Sequence, residues 1–232
     1  MNQKNNKKRF INTRLGTLLR WHVLKNILKS HIKNDMAILD LGGNDGYISY
    51  KLRILSPLSD ITVVDIDRPG LEIAKSMGLK TLYASVIDLP FSDKSIDIVL
   101  CLDIIEHIIE DEKCIHEISR ILKKNGNIFL TTPKENGVTF PFMNHESIIN
   151  INRNWGHVRI GYSLEKIKEM FEKNNLILLK KEQYFNILSR LLYRFTYNKR
   201  MPLLELLYKF AILLEPYIKL GAQEHIIIGK KE

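Results

Sequence analysis

Cysteine is scarce in this chain and long apolar runs are missing. Among 232 residues there are two cysteines, Cys101 and Cys114, which make neither a disulfide framework nor a metal-ligand spacing. No uncharged apolar stretch approaches the roughly 20 residues that a bilayer-spanning helix needs. Arg20 and Lys25 interrupt the one apolar region near the start, and no small-residue cleavage site follows, so no signal peptide is readable. These absences lead to the expectation of a reduced, cytoplasmic protein. Acid is also missing from one end. Met1 to Asn34 holds nine basic residues (Lys4, Lys7, Lys8, Arg9, Arg14, Arg20, Lys25, Lys29, Lys33) and no Asp or Glu. Removing those nine from the 35 Lys and Arg leaves 26, equal to the 26 Asp and Glu, so the formal net charge of +9 belongs to this segment. Such a distribution argues against a basic groove across the whole fold. It suggests a solvated basic arm and helix over residues 1–34, with no nucleic-acid partner expected, and a neutral body over 35–232.

The body is patterned as alternating short apolar runs and helical stretches. Leu15 to Ile32 opens with apolar residues at helical spacing: Leu15, Leu18, Leu19, Val23, Leu24, Ile27 and Leu28. Strands are expected at Ala37–Leu41, Ile61–Asp65, Lys80–Ala84, Ile96–Leu100, Asn127–Thr132, Leu176–Lys181 and His225–Gly229. Between the first five lie helical stretches at Tyr47–Leu55, Pro69–Met77 and Asp111–Leu122, the last stopped by Asn125-Gly126. Strands alternating with helices imply βαβ units, hence an α/β fold with a mostly parallel sheet covered on both faces. One segment breaks the alternation. From residue 184 to 220, Leu188, Leu191, Leu192 and Phe195 share one helical face, and Leu203, Leu204, Leu206, Leu207, Phe210 and Leu214 form a second stripe. A helical insertion is expected there, interrupted at Pro202 and closed at Gly221.

The first expected strand runs directly into Asp40-Leu41-Gly42-Gly43-Asn44-Asp45-Gly46 and then a helix. A glycine turn between strand and helix lets backbone N–H groups approach a ligand closely, and glycine tolerates the positive φ such turns need. The next strand ends in Asp65, about 20 residues on, the position from which an acid grips ribose hydroxyls. Turn and acid together point to an adenosine-type ligand. The glycine spacing is not that of a nicotinamide site, which would want G-x-G-x-x-G.

These residues resemble class I S-adenosylmethionine-dependent methyltransferases of the type 11 kind. Ile38 to Gly46 is similar to that family's D-L-G-C-G-T-G motif. Asp88-Leu-Pro-Phe to Asp97-Ile-Val-Leu is similar to its approach to strand four, and Asp103-Ile-Ile-Glu106-His107 to the continuation. Glu117 to Gly126, Thr131-Thr132-Pro133 and Gly156 to Ser163 follow in the same order. The resemblance covers roughly residues 36–183 and the last strand. It implies a doubly wound, Rossmann-like, seven-stranded sheet with the last strand antiparallel and the insertion between strands six and seven. It implies S-adenosyl-L-methionine as cofactor, held by Asp40, Gly42, Gly43, Asn44, Gly46, Asp65, Ile66, Ser85, Val86 and Leu102. Two positions depart from the family pattern: Asn44 replaces the central glycine, and Ser85 stands where an acid often meets the adenine.

For the reaction, the resemblance implies an S-adenosylmethionine-dependent methyltransferase acting on a small-molecule, lipid-linked or glycan acceptor. In-line methyl transfer from a sulfonium needs alignment first and a base only when the acceptor must lose a proton. His107 and His157 are the candidates for that base. Asp103-x-x-Glu106-His107 resembles the Glu-x-x-Glu-His metal cluster of certain ubiquinone-biosynthesis O-methyltransferases and small-RNA 3′-end methyltransferases. With Asp in place of the first Glu that cluster is incomplete, and no metal is expected. The 184–220 insertion is expected to cover the acceptor side, with peripheral membrane contact as a further role. The rival reading, raised by Asn44 and Ser85, is a non-catalytic S-adenosylmethionine-binding scaffold or sensor.

Overall fold

The computed structural model describes residues 14–196 and 202–232. Lys4, Lys7, Lys8 and Arg9 of the basic arm lie outside the described residues. The elements in chain order are α1 (Leu15–His31), β1 (Ala37–Leu41), α2 (Tyr47–Leu55), β2 (Asp60–Asp65), α3 (Arg68–Ser76), β3 (Lys80–Tyr83), β4 (Ile96–Leu102), α4 (Asp111–Ile121), β5 (Leu122–Pro133), α5 (His145–Asn154), α6 (Leu164–Glu172), β6 (Leu176–Tyr184), α7 (Ile187–Thr196), α8 (Pro202–Leu214) and β7 (Glu224–Lys231). A short 3₁₀ turn, Ile105–His107, follows β4.

The strands form one seven-stranded sheet in the order β3-β2-β1-β4-β5-β7-β6. β1 pairs in parallel with both β2 and β4, while β7 runs antiparallel to β5 and β6. The chain therefore winds outward from β1 in two directions. Between β1 and β4 their carboxyl ends part, which is where a sheet of this kind opens a crevice.

Strand periodicity divides the core into two layers. Leu39 and Leu41 of β1, Val99 and Cys101 of β4, and Ile128 and Leu130 of β5 face one side, packed on Ile115 and Ile118 of α4 and Met170 and Phe171 of α6. Their strand neighbours Ile38, Ile98, Leu100 and Phe129 face the other side, where Leu19, Leu24 and Leu28 of α1 meet Tyr208 and Ile212 of α8. Helix starts follow local chemistry: Asp67 caps α3 by accepting from Gly70 N, and Ser163 caps α6 from Lys166 N.

Three sequence expectations are corrected. Asn125-Gly126 does not end a helix before a new strand; β5 already begins at Leu122, paired with Ile96, and the register then jumps to Ile98 with Asn127. The intervening residues form a bulge with Asn125 at φ 66°, so the turn chemistry was read correctly but its setting was not. Residues 145–154, where no element is expected, form α5, begun by Asn144, whose side chain accepts from Ser147 N. Arg20, counted with the solvated basic arm, sits on a helix packed into the core and is largely buried, because it has an acidic partner across the cavity.

Candidate active site

The turn after β1 is shaped by its own packing. Gly42 and Gly46 have φ of 64° and 73°, and Asn44 follows them into the left-handed region at 46°. A Cβ on Gly42 would run into Ile104, and one on Gly43 would come within 2.7 Å of the Asp40 carboxyl. The glycines are thus required by protein neighbours, before any ligand is considered. Asn44 tolerates its φ, and its side-chain amide donates to Asp67 Oδ2 at 2.7 Å. Asp40 is buried under the turn and accepts from Ser49 Oγ at 2.6 Å. Burial raises its carboxyl to about 6, against the lowering effect of that hydrogen bond.

Asp65 ends β2 with both oxygens oriented. Oδ2 accepts from Asn44 N at 2.8 Å and Oδ1 from Asp67 N at 2.8 Å. Each oxygen keeps a further lone pair, so the carboxylate can still receive two ribose hydroxyls. Asp67 is committed to capping α3 and to Asn44, which leaves Asp65 as the acid of the pair.

A cavity of about 1330 Å³ opens at the carboxyl ends of β1, β2 and β4. Asp40, Gly42, Gly43, Asn44, Asp65 and Leu102 line one part of it. The other part is lined by Arg20, Asp103, Glu106, His107, Trp155, His157, Tyr184, Tyr193 and Glu224. Of the remaining expected cofactor residues, Gly46 caps α2, Ile66 exposes its side chain just past β2, Ser85 follows β3, and Val86 is buried in the core. Those four do not line the cavity.

The second part of the cavity is built around charge. Asp103, at φ 54°, turns the chain after β4 and pairs with Arg20; Thr131 Oγ1 donates to its other oxygen. Burial works against the Arg20 guanidinium, but Asp103, Tyr184 and Glu224 outweigh it and hold the proton. Glu106 is fully buried, and burial, with Asp103 beside it, pushes its carboxyl well above the usual range. Its Oε2 accepts from Thr132 Oγ1 at 3.1 Å, while Oε1 has no partner among the described residues. Glu224 is raised likewise by burial and by Asp103.

His107 and His157 meet edge to face with ring centroids 4.7 Å apart. His107 Nδ1 lies 3.1 Å from the Gly156 carbonyl, which can only accept, so Nδ1 carries the hydrogen and Nε2 keeps a lone pair. Burial, and then His107, lower His157 to about 4, so it is neutral at physiological pH. The structure therefore brings together the two histidines expected at the acceptor side. Sequence reading missed Arg20, Tyr184 and Glu224. Arg20 was hidden among nine basic residues, and the other two carried no motif.

The insertion walls this second part. Arg190 of α7 donates to Thr139 Oγ1 at 2.9 Å and to the Gly221 carbonyl at 2.9 Å, tying the loop after β5 to the start of β7. Phe140 of that loop stacks on Tyr193 with centroids 6.1 Å apart, and Tyr193 lies 5.8 Å from Tyr208 of α8. Glu215 fastens the end of β6 by accepting from Phe185 N at 3.0 Å and Asn186 N at 3.1 Å.

Comparison with known proteins agrees with this geometry. Residues 39–130 match the family described as a methyltransferase domain. The uncharacterized methyltransferase YcgJ of Bacillus subtilis is 28% identical over 159 residues, covering 65% of this chain and 60% of that protein. The chain thus spans well under two thirds of the length of the curated relatives it matches. Among solved structures, a putative methyltransferase of Haloferax volcanii in complex with the Trm112 methyltransferase activator superposes with a TM-score of 0.65, at 18% identity over 98% of this chain and 94% of that one. Geranyl diphosphate C-methyltransferase of Streptomyces coelicolor A3(2), in complex with Mg2+, geranyl diphosphate and S-adenosyl-L-homocysteine, superposes at 0.66 with 14% identity over 90% and 77%. Residues 39–130 thus match a methyltransferase domain, and the β3-β2-β1-β4-β5-β7-β6 sheet with its crevice between Asp40 and Asp65 has the fold of the methyltransferases it superposes on.

Proposed function

We propose that the protein transfers a methyl group from S-adenosylmethionine to a small-molecule, lipid-linked or glycan acceptor bound beneath α7 and α8. The observation that carries this is the continuity of the cavity: about 1330 Å³, with the glycine turn and Asp65 at one part and Trp155, His157, Tyr184 and Tyr193 at the other. That exceeds a usual single-ligand pocket of roughly 300–1,000 Å³, so it suits a cofactor and a second molecule together.

When bound, the cofactor supplies an electrophilic methyl on a sulfonium. Asp65 would hold the ribose. Gly42, Gly43 and the start of α2, where Gly46 at the N-cap has no side chain to bond the first turn, would face the amino-acid part. Asp65 and the glycine turn on one side and Trp155, Tyr184 and Tyr193 on the other would hold an acceptor lone pair in line with that methyl. If the acceptor carries a proton, His107 Nε2 is free to accept it. Trp155, Tyr184 and Tyr193 would pack against the acceptor and favour its alignment. The outer side of α8 exposes Leu203, Leu206, Phe210 and Leu213, an apolar face suited to a lipid surface in which a lipid-linked acceptor would reside.

The rival scaffold reading loses one of its grounds, because Asn44 adopts the turn conformation and reinforces it through Asp67. The test is turnover. Protein incubated with methyl-labelled S-adenosylmethionine and panels of small phenols and amines, prenyl-linked lipids and oligosaccharides should release S-adenosylhomocysteine with at least one class, and His107→Gln should slow that release. Tight cofactor binding with no release on any panel would favour the scaffold.

A further inference from the structure

We propose that Glu106, His107 and His157 form a divalent transition-metal site at the acceptor part of the cavity. One ligand atom from each lies within 4.8 Å of the others, close enough for a single ion to gather all three with small side-chain adjustments. Their remaining hydrogen bonds are those that metal ligands need. Thr132 holds Glu106 Oε2 and leaves the fully buried Oε1 without a partner among the described residues. The Gly156 carbonyl takes the hydrogen on His107 Nδ1 and leaves Nε2 open, the carbonyl–imidazole arrangement that orients ligating histidines. His157 Nδ1 is buried and likewise has no partner among the described residues. A buried carboxylate oxygen and a buried imidazole nitrogen left bare in one cluster are costly unless something there is bound.

The site is not the one suggested by spacing along the chain. Asp103, which that pattern would recruit, is occupied by Arg20 and Thr131. The third ligand is His157, fifty residues beyond His107 and brought in by the loop after α5. Two imidazoles and one carboxylate favour Zn²⁺, Mn²⁺, Fe²⁺ or Co²⁺ over Mg²⁺ or Ca²⁺, which prefer all-oxygen shells. Three protein ligands leave coordination positions directed to the cavity, as in catalytic rather than structural sites. An acceptor offering an oxygen to those positions would lose its proton more readily, and His107, its Nε2 then bound to the ion, would act as a ligand in place of a base; this consequence rests on the methyl-transfer reading, whereas ion binding does not.

The experiment is metal titration of the full chain after dialysis against a chelator, with no cofactor or acceptor present. Calorimetry with ZnCl₂ and MnCl₂ should show one ion per chain, and CoCl₂ should give visible ligand-field bands. Glu106→Gln and His157→Ala should each weaken binding by at least about 10-fold and remove the cobalt bands. If Glu106→Gln fails to fold, His157→Ala, in a loop, gives the same reading. Absence of stoichiometric binding, or binding that survives His157→Ala unchanged, would overturn the site.

Discussion

The guanidinium of Arg20, on the first helix, forms an ion pair with Asp103, the residue that turns the chain after β4. The two stand 83 positions apart in sequence and join the basic N-terminal segment to the floor of the cavity. Both side chains are about four-fifths buried, at 21% and 19% exposure. Removing one partner leaves the other charged and poorly solvated, which costs more than an exposed pair is worth. Arg20→Ala should therefore lower unfolding stability by about 1–3 kcal/mol, and Arg20→Ala with Asp103→Asn by less than the sum of the single changes. Urea denaturation of the four proteins measures the coupling.

Asp40 makes a pH signature. Its folded carboxyl sits at about 6, against an ordinary 3.8, chiefly because it is buried. The native state thus holds that proton after the unfolded chain has released it. The associated stability is complete below pH 3.8 and is lost as pH rises through 6. Relative to Asp40→Asn, the wild type should lose about 2 kcal/mol between pH 4 and pH 7. Denaturant midpoints at pH 4, 5, 6 and 7 show it; a difference that does not change with pH would contradict the assignment.

The insertion is tied to the core as well as to the acceptor. Tyr208 is fully buried, and its hydroxyl has no partner among the described residues. Tyr208→Phe should be neutral or stabilising by about 1 kcal/mol, since it removes an unsatisfied group. Tyr208→Ala should cost about 3–5 kcal/mol by leaving a cavity between α8, α1 and the sheet. Thermal unfolding of the two variants separates these effects. The same packing means that replacing residues 186–220 by a linker would expose Leu19 and Leu24 of α1, so such a deletion reports on folding as much as on acceptor turnover.

How much of this was readable in the sequence depends on how local the signal is. β1 and α2 appear at the expected residues, because an apolar run, a glycine turn and a helical period follow one another without interruption. Asp65 was readable for the same reason, being the last residue of its strand. The start of β5 was not, since a bulge and a turn share the same Asn-Gly signal. Relationships across long separations left no trace. Nothing marks Arg20 as different from the other basic residues until Asp103 is seen beside it, and nothing joins His157 to Glu106 until the loop after α5 closes over the 3₁₀ turn.

The account rests most heavily on Asp65 and the turn above it as the cofactor site, and calorimetric binding of S-adenosylhomocysteine tests this directly. The wild type should bind S-adenosylhomocysteine at one site and show no binding of NAD. Asp65→Ala should weaken binding by about 1–3 kcal/mol, roughly 5- to 150-fold, as expected for lost hydrogen bonds to ribose hydroxyls. Asp67→Ala, which removes the α3 cap, should change affinity far less. Unchanged affinity in Asp65→Ala, or NAD binding in place of S-adenosylhomocysteine, would contradict the assignment.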